Sequence, residues 1–168
     1  MGEEVLQFDG VAMTTRGDVL LIVYKSPAKL HRTRWLFDRI DEFLASRSAP
    51  AMGFMLILPT ADPPDAPTRE ENSVRMRKIG DKLRRLVTTP VGDDLRVMLV
   101  RTVMRGLAIL HGRTRDHFVT STVAEGLSRV AEAAGPETPP QAQLVLDLGR
   151  LQRALGTTPV SAGASYPP

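Results

Sequence analysis

The stretch from Leu95 to Leu110 constrains the fold more than any other part of the chain. It reads Leu-Arg-Val-Met-Leu-Val-Arg-Thr-Val-Met-Arg-Gly-Leu-Ala-Ile-Leu. At 3.6 residues per turn, Asp94, Arg101 and Arg105, with small Ala108, fall on one narrow edge. Leu95, Met98, Leu99, Val103, Leu107, Ile109 and Leu110 cover most of the remaining circumference, and only Arg96 interrupts them. A helix this apolar does not lie on a solvated surface. It is either sandwiched as the central helix of the fold, or half-buried with a second apolar face left for a partner. Its length and its arginines rule out a membrane span. Met98 and Met104, with Gly106 allowing another element to come close, suit a repackable core or an adaptable interface equally.

The layers around this helix follow from hydrophobic patterning. Residues 5–15 and 18–26 read as two strands joined by a turn at Arg16-Gly17-Asp18. Val19 to Val23 is apolar without alternation, the mark of a strand buried on both faces. Residues 29–47 have helical period, with Leu36, Phe37, Ile40, Phe43 and Leu44 on one side. Met52 to Leu58 is a second continuously apolar strand, so strand, helix and strand form a right-handed parallel crossover. Thr60 to Pro67 is then a loop at the carboxyl end of a parallel strand, where open α/β sheets place their sites.

Thr68 suits an N-cap, with Glu71 completing a capping box, and the helix that follows extends to about Leu86. Its core face is Met76, Ile79, Leu83 and Leu86. Leu86 to Val91 gives the next strand, ragged at Pro90. Gly92-Asp93-Asp94 leads into the apolar helix, and Gly112 caps its far end. Residues 116–120 form a last short strand, and 122–134 a helix with Val123, Leu127 and Val130 inward. Residues 136–140 are a Pro-rich linker, and 141–155 a helix striped by Leu144, Leu148, Leu151 and Leu155. That stripe either folds back on the domain or pairs with a second copy. Residues 156–168 read as a disordered tail. The expected architecture is α/β: a four- to five-stranded mixed, mostly parallel sheet with packed helices, spanning 1–135, plus a C-terminal helical extension.

Composition narrows the function classes. No cysteine is present, which excludes disulfides, thiolate metal sites and cysteine nucleophiles together. The start, Met-Gly-Glu-Glu, lacks the basic and apolar regions of a signal peptide, and Leu6 stands where an acylation motif wants Ser or Thr. The expectation is a cytoplasmic protein with no membrane span. Catalytic signals are thin: His31, His111 and His117 are scattered, and no Ser or Asp stands at triad spacing. His111, His117 and Asp116 assemble into a metal site only on paper. Asp62 and Asp65 share the strand-end loop, but turn chemistry accounts for both. Neither a catalytic residue, a metal nor a cofactor is expected, and the chain reads as a non-enzyme.

Three features invite a partner. Trp35, the only tryptophan, points away from its helix's apolar face between Arg32 and Arg39, either as an anchor stacked with arginine or as cover for a neighbouring loop. Arg75, Lys78, Lys82 and Arg85, extended by Arg77 and Arg84, line up along the 69–86 helix with no acid neutralising the row. Such a row suits phosphates, an acidic protein or plain solvent. The loop residues Thr60, Asp62, Asp65 and Thr68 complete the candidate partner-binding set. Thr68 and Ser73 are the candidate phosphorylation sites.

The order of elements resembles that of STAS-like domains, the fold of anti-sigma factor antagonists. The resemblance covers roughly residues 5–134 and is nearest to uncharacterised STAS-like proteins, many of them from myxobacteria. It is carried by Gly92 through Leu110, where a turn enters a helix whose Val100 to Leu110 reads Val-Arg-x-Val-x-x-Gly-Leu-x-x-Leu, and by His117-Phe118-Val119-Thr120 followed by a short helix. It implies a non-catalytic regulatory module that binds another protein. Anti-sigma factor antagonists carry a phosphorylated Ser or Thr in an Asp-Ser-Ser/Thr-Gly-type turn. Here that place reads Asp62-Pro63-Pro64-Asp65-Ala66-Pro67-Thr68, without the motif. Two alternative functions remain: nucleic-acid or polyanion binding through the basic face, and a small apolar ligand held between sheet and helices, as in some STAS-like relatives. A homodimer is a further possibility.

Overall fold

A computed structural model describes residues 4–110 and 116–160. The elements are β1 (Leu6–Phe8), β2 (Val11–Arg16), β3 (Val19–Tyr24), α1 (Leu30–Ala45), β4 (Ala51–Ile57), α2 (Ala66–Ile79), a 3-10 turn (Gly80–Lys82), β5 (Leu83–Pro90), α3 (Leu95–Leu110), β6 (His117–Val119), α4 (Val123–Ala131) and α5 (Gln141–Ala154). The expected cap at Gly112, His111 and the tail beyond residue 160 lie outside the described residues.

The chain is α/β, but its sheet has six strands rather than four or five, ordered β1 to β6 as in the sequence. The extra strand arises because residues 5–15 fold back on themselves. Asp9 (φ 46°) and Gly10 (φ 84°) form a two-residue turn with positive φ at both centres, the geometry in which Asp-Gly excels. β1–β2 and β2–β3 are antiparallel, and β3 through β6 run parallel.

Alternation along β3 assigns the two layers. Leu20, Ile22 and Tyr24 join the core cluster shared with α1, α2 and Val100 of α3. Val19, Leu21 and Val23 join the opposite cluster with α4 and α5. All three crossover helices therefore cover one face, and the strand order never reverses. The ligand crevice of open α/β sheets forms where strand order reverses. Among the described strands there is no such point.

The second helix is shorter than its periodicity implies. It stops at Ile79, Gly80 opens a 3-10 turn, and Leu83 already belongs to β5. The register steps from Ala51–Leu83 to Met52–Arg85, so Arg84 is an extra residue bulged out of the ladder. The bulge lets Leu83 and Leu86, three residues apart, face the same core cluster. That spacing imitates a helix.

Residues 135–140 are tied to the sheet. Thr138 Oγ1 accepts from the Gly135 amide (2.8 Å) and donates to buried Asp18 (3.0 Å). The bulged Arg84 donates to Asp18 and Thr138, and also to the carbonyls of Ala133 (3.1 Å) and Pro50 (3.2 Å). Arg47 donates to Glu137 (2.5 Å) and to the Gly17 carbonyl (2.9 Å). α5 then lies across β2 and β3, with Leu144, Leu148 and Leu151 buried. Arg16 forks onto its Asp147 (2.7 and 2.9 Å). Of the two roles open to the leucine stripe, the structure shows the one in which it folds back.

Candidate interaction surface

Helix α3 begins at a conventional cap, with the Asp94 carboxylate accepting from the Val97 amide at 2.8 Å. Val97, Val100, Leu107 and Ala108 are buried beneath it, with Met104 half-buried. Arg101 shares this inward side. Its Nη2 donates to the carbonyls of Pro90 (3.1 Å) and Gly92 (2.8 Å), which clamps the helix to the end of β5. The edge that holds Arg101 and Ala108 is thus packed rather than solvated, because a guanidinium at the sheet's rim can serve carbonyls that the ladder leaves open.

The opposite face is apolar and open to solvent. Leu95 is 75% exposed, Met98 56%, Leu99 51% and Ile109 66%. Thr102 and Gly106 complete the same stripe, at spacings of three or four residues. The Thr102 hydroxyl is satisfied within the helix, donating to the Met98 carbonyl at 3.0 Å. Among the described residues, a Cβ added at Gly106 would meet nothing within 4 Å, so their packing does not require that glycine. α3 is half-buried at one side of the layer, not sandwiched. Elsewhere large exposed apolar side chains occur singly, as Val74 on α2 and Leu146 on α5.

The residues singled out from sequence are spread over several parts of the molecule. Trp35 covers β1: its ring stacks on Phe8 at 5.5 Å and its edge packs on the core. Arg39 pairs with Glu42 (2.5 Å), one turn along α1. Thr60 donates to the Lys25 carbonyl (2.5 Å) and fastens two strand ends together. Asp62 meets Arg96 of α3 (3.2 Å). The N-cap of α2 is Asp65, not Thr68: its carboxylate accepts from the Thr68 amide at 2.9 Å. Hydrogen bonding from Thr68 holds that carboxyl below the usual range. Pro67 in the first turn shifts the cap three residues upstream, and Glu71 turns to Arg75 instead of closing a capping box. Thr68 is fully buried and Ser73 is half-buried, so neither hydroxyl stands free in a loop.

The basic row is not a row. Arg75 and Lys78 lie on α2, Lys82 on the 3-10 turn and Arg85 on β5. Acids of the same helix and of other elements engage them. Arg75 meets Glu71 (3.0 Å), Asp38 (3.2 Å) and Asp41 (3.3 Å), and Lys78 meets Asp41 (3.3 Å). Arg85 donates to the Arg129 carbonyl (2.5 Å), pairs with Glu132 (3.2 Å) and sits 4.8 Å over the Phe118 ring. Lys78 and Lys82 both remain exposed to solvent. Asp38, Asp41 and Glu132 are remote from the row in sequence, whereas Glu71 stands one turn before Arg75.

The histidines among the described residues stand apart from one another. His31 contacts Asp9 (2.8 Å), and His117 is buried with its Nε2 3.0 Å from the Thr88 hydroxyl. The neighbouring Arg32 guanidinium, with His31, lowers the Asp9 carboxyl to about 2. Among the described residues no group of three His, Asp or Glu is placed to hold a metal. Two cavities of about 50 Å³ each lie beneath α2 and α3 and share Met55, Asn72 and Met104. Each has room for a water or two, far below the roughly 300 Å³ at which ligand pockets begin. No helix among the described residues is long and apolar enough to cross a membrane. In comparisons with known proteins, no family model and no curated sequence matches the chain.

Proposed function

We propose that this chain is a non-catalytic protein-interaction module of regulatory type, and that its docking surface is the outward face of α3. The observation that carries this reading is the stripe Leu95, Met98, Leu99 and Ile109, each more than half exposed on a helix whose other side is already packed. A contiguous apolar stripe on a well-buried scaffold costs solubility and is normally kept for binding. The STAS-like resemblance supports a regulatory role, and its motif runs through this same helix. The 60–68 loop supports a docking role less well, since its carboxylates are engaged by Arg96 and by the α2 cap. A polyanion surface is supported least, because the four cations sit on three elements and Arg75, Lys78 and Arg85 are each paired with acids.

The test is a pull-down from nuclease-treated native lysate, comparing wild type with Leu95→Glu/Leu99→Glu. Both side chains face solvent, so the melting temperature should stay within a few degrees of wild type. A stoichiometric protein should be captured by wild type and lost by the variant. If nuclease removes everything that wild type captures, or if the variant still retains the partner, this assignment of function fails.

A further inference from the structure

We infer that the occupant of the α3 face is a second copy of this chain, its α3 packed antiparallel about a two-fold axis through Thr102. This rests on the reading of α3 as a docking surface and adds the identity of the partner. The argument begins with spacing. Leu95 and Ile109 lie seven residues to either side of Thr102, about 10.5 Å along the axis at 1.5 Å per residue. Met98 and Gly106 lie four residues to either side, about 6 Å away. Antiparallel pairing about Thr102 therefore sets Leu95 of one copy against Ile109 of the other, Met98 against Gly106, and Leu99 against the aliphatic stem of Arg105, twice over. Large meets large at the ends of the stripe, and the long flexible thioether meets a notch at each inner position. A two-fold interface demands this kind of self-complementarity, because one surface must be its own mate.

Gly106 gives the inference its sharpest point. A glycine inside a helix weakens it, and here no neighbouring atom among the described residues requires the missing side chain. An approaching Met98 from another copy does require it. Thr102, at the axis, is small, and its hydroxyl is already satisfied within its own helix, so it can be covered without stranding a polar group. One helix face is smaller than the roughly 800 Å² per partner of a stable complex, so the dimer should dissociate on dilution.

The absence of cysteine makes the test direct. Four single variants, Thr102→Cys, Leu95→Cys, Ile109→Cys and Leu146→Cys, are oxidised with copper phenanthroline, and mass is followed by sedimentation across a dilution series. The inference expects Thr102→Cys to crosslink to itself well above the Leu146→Cys baseline on the opposite layer. Leu95→Cys alone, its copies about 21 Å apart, should stay at that baseline, and a mixture of Leu95→Cys with Ile109→Cys should crosslink. Gly106→Leu should be monomeric where wild type is dimeric, with an unchanged or higher melting temperature, so that loss of the dimer is not loss of the fold. Crosslinking of Leu95→Cys to itself would mean a parallel pair and overturn the geometry. A wild-type chain that stays monomeric at every concentration would overturn the second copy as occupant. Capture of a different protein on this face would then leave the docking surface standing without it.

Discussion

Two helical glycines with opposite surroundings separate packing from docking at the level of single residues. At Gly126 of α4, an added Cβ would lie 2.6 Å from the Phe54 ring and 2.6 Å from Thr89 Oγ1, between helix and sheet. Gly126→Ala should therefore destabilise the protein by about 1–3 kcal/mol, read as a fall in urea midpoint. At Gly106 the same substitution meets open space, and Gly106→Ala should stabilise the monomer by roughly 0.5–1 kcal/mol. Neither environment is visible in the sequence, where both are simply small residues in helical runs. Asp9-Gly10, by contrast, is legible: Asp-Gly between apolar segments is the strongest short hairpin signal, and it divides residues 5–15 into two strands where their apolar pattern alone suggests one.

The C-terminal segment shows how remote polar contacts turn apparent linkers and appendages into parts of the fold. α5 is held by its leucines and by the Arg16–Asp147 fork. Burial alone would raise the Asp147 carboxyl, but hydrogen bonds and charge from Arg16 outweigh it and leave it below the usual range. With the folded value depressed, the stabilisation is fully present above the unfolded carboxylate value near 3.9 and is lost as pH falls through the folded value. The margin of wild type over Asp147→Asn in urea unfolding should thus be largest near neutrality and shrink below about pH 4. Asp147→Ala should cost about 3–5 kcal/mol at pH 7, the range for breaking a buried pair from one side.

Most other elements could be read from patterning: β3, α1, β4, α3, α4 and α5 were recognisable because their apolar period is either continuous or helical. β5 was obscured by its bulge. Arg84 steps out of the ladder to serve Asp18 and Thr138, and the displaced register gives Leu83 and Leu86 a helix-like spacing. Nothing short of the tertiary fold reveals that.

For the molecule as a whole, the decisive feature is that every crossover helix covers one face of a sheet whose order never reverses. The described strands lack the order reversal at which open α/β sheets hold ligands; the two cavities beneath α2 and α3 are small, and a more open one of about 520 Å³ lies beside the β1–β2 turn, lined by Phe8, Asp9, Lys25 and Leu155. What remains is its surface. The cations picked out from sequence are largely absorbed in holding layers together, so reversing Arg75, Lys78, Lys82 and Arg85 to Glu should lower stability before it tests any binding. Arg75→Glu alone sets a carboxylate beside Asp38, Asp41 and Glu71 and should cost about 1–3 kcal/mol in thermal unfolding. The α3 stripe differs from all of these: it was half legible as excess apolar surface, but which half would be buried depended on Arg101 reaching the end of β5.

The most direct measurement is a photo-crosslinking walk along α3 in the native host, with a photoreactive side chain introduced at Leu95, Met98, Leu99 and Ile109 in turn, and at Leu146 as the control on the opposite layer. If α3 is the docking surface, each outward position yields a discrete protein adduct and Leu146 yields none. Adducts that appear equally at Leu146, or none at the four α3 positions, would contradict the central claim.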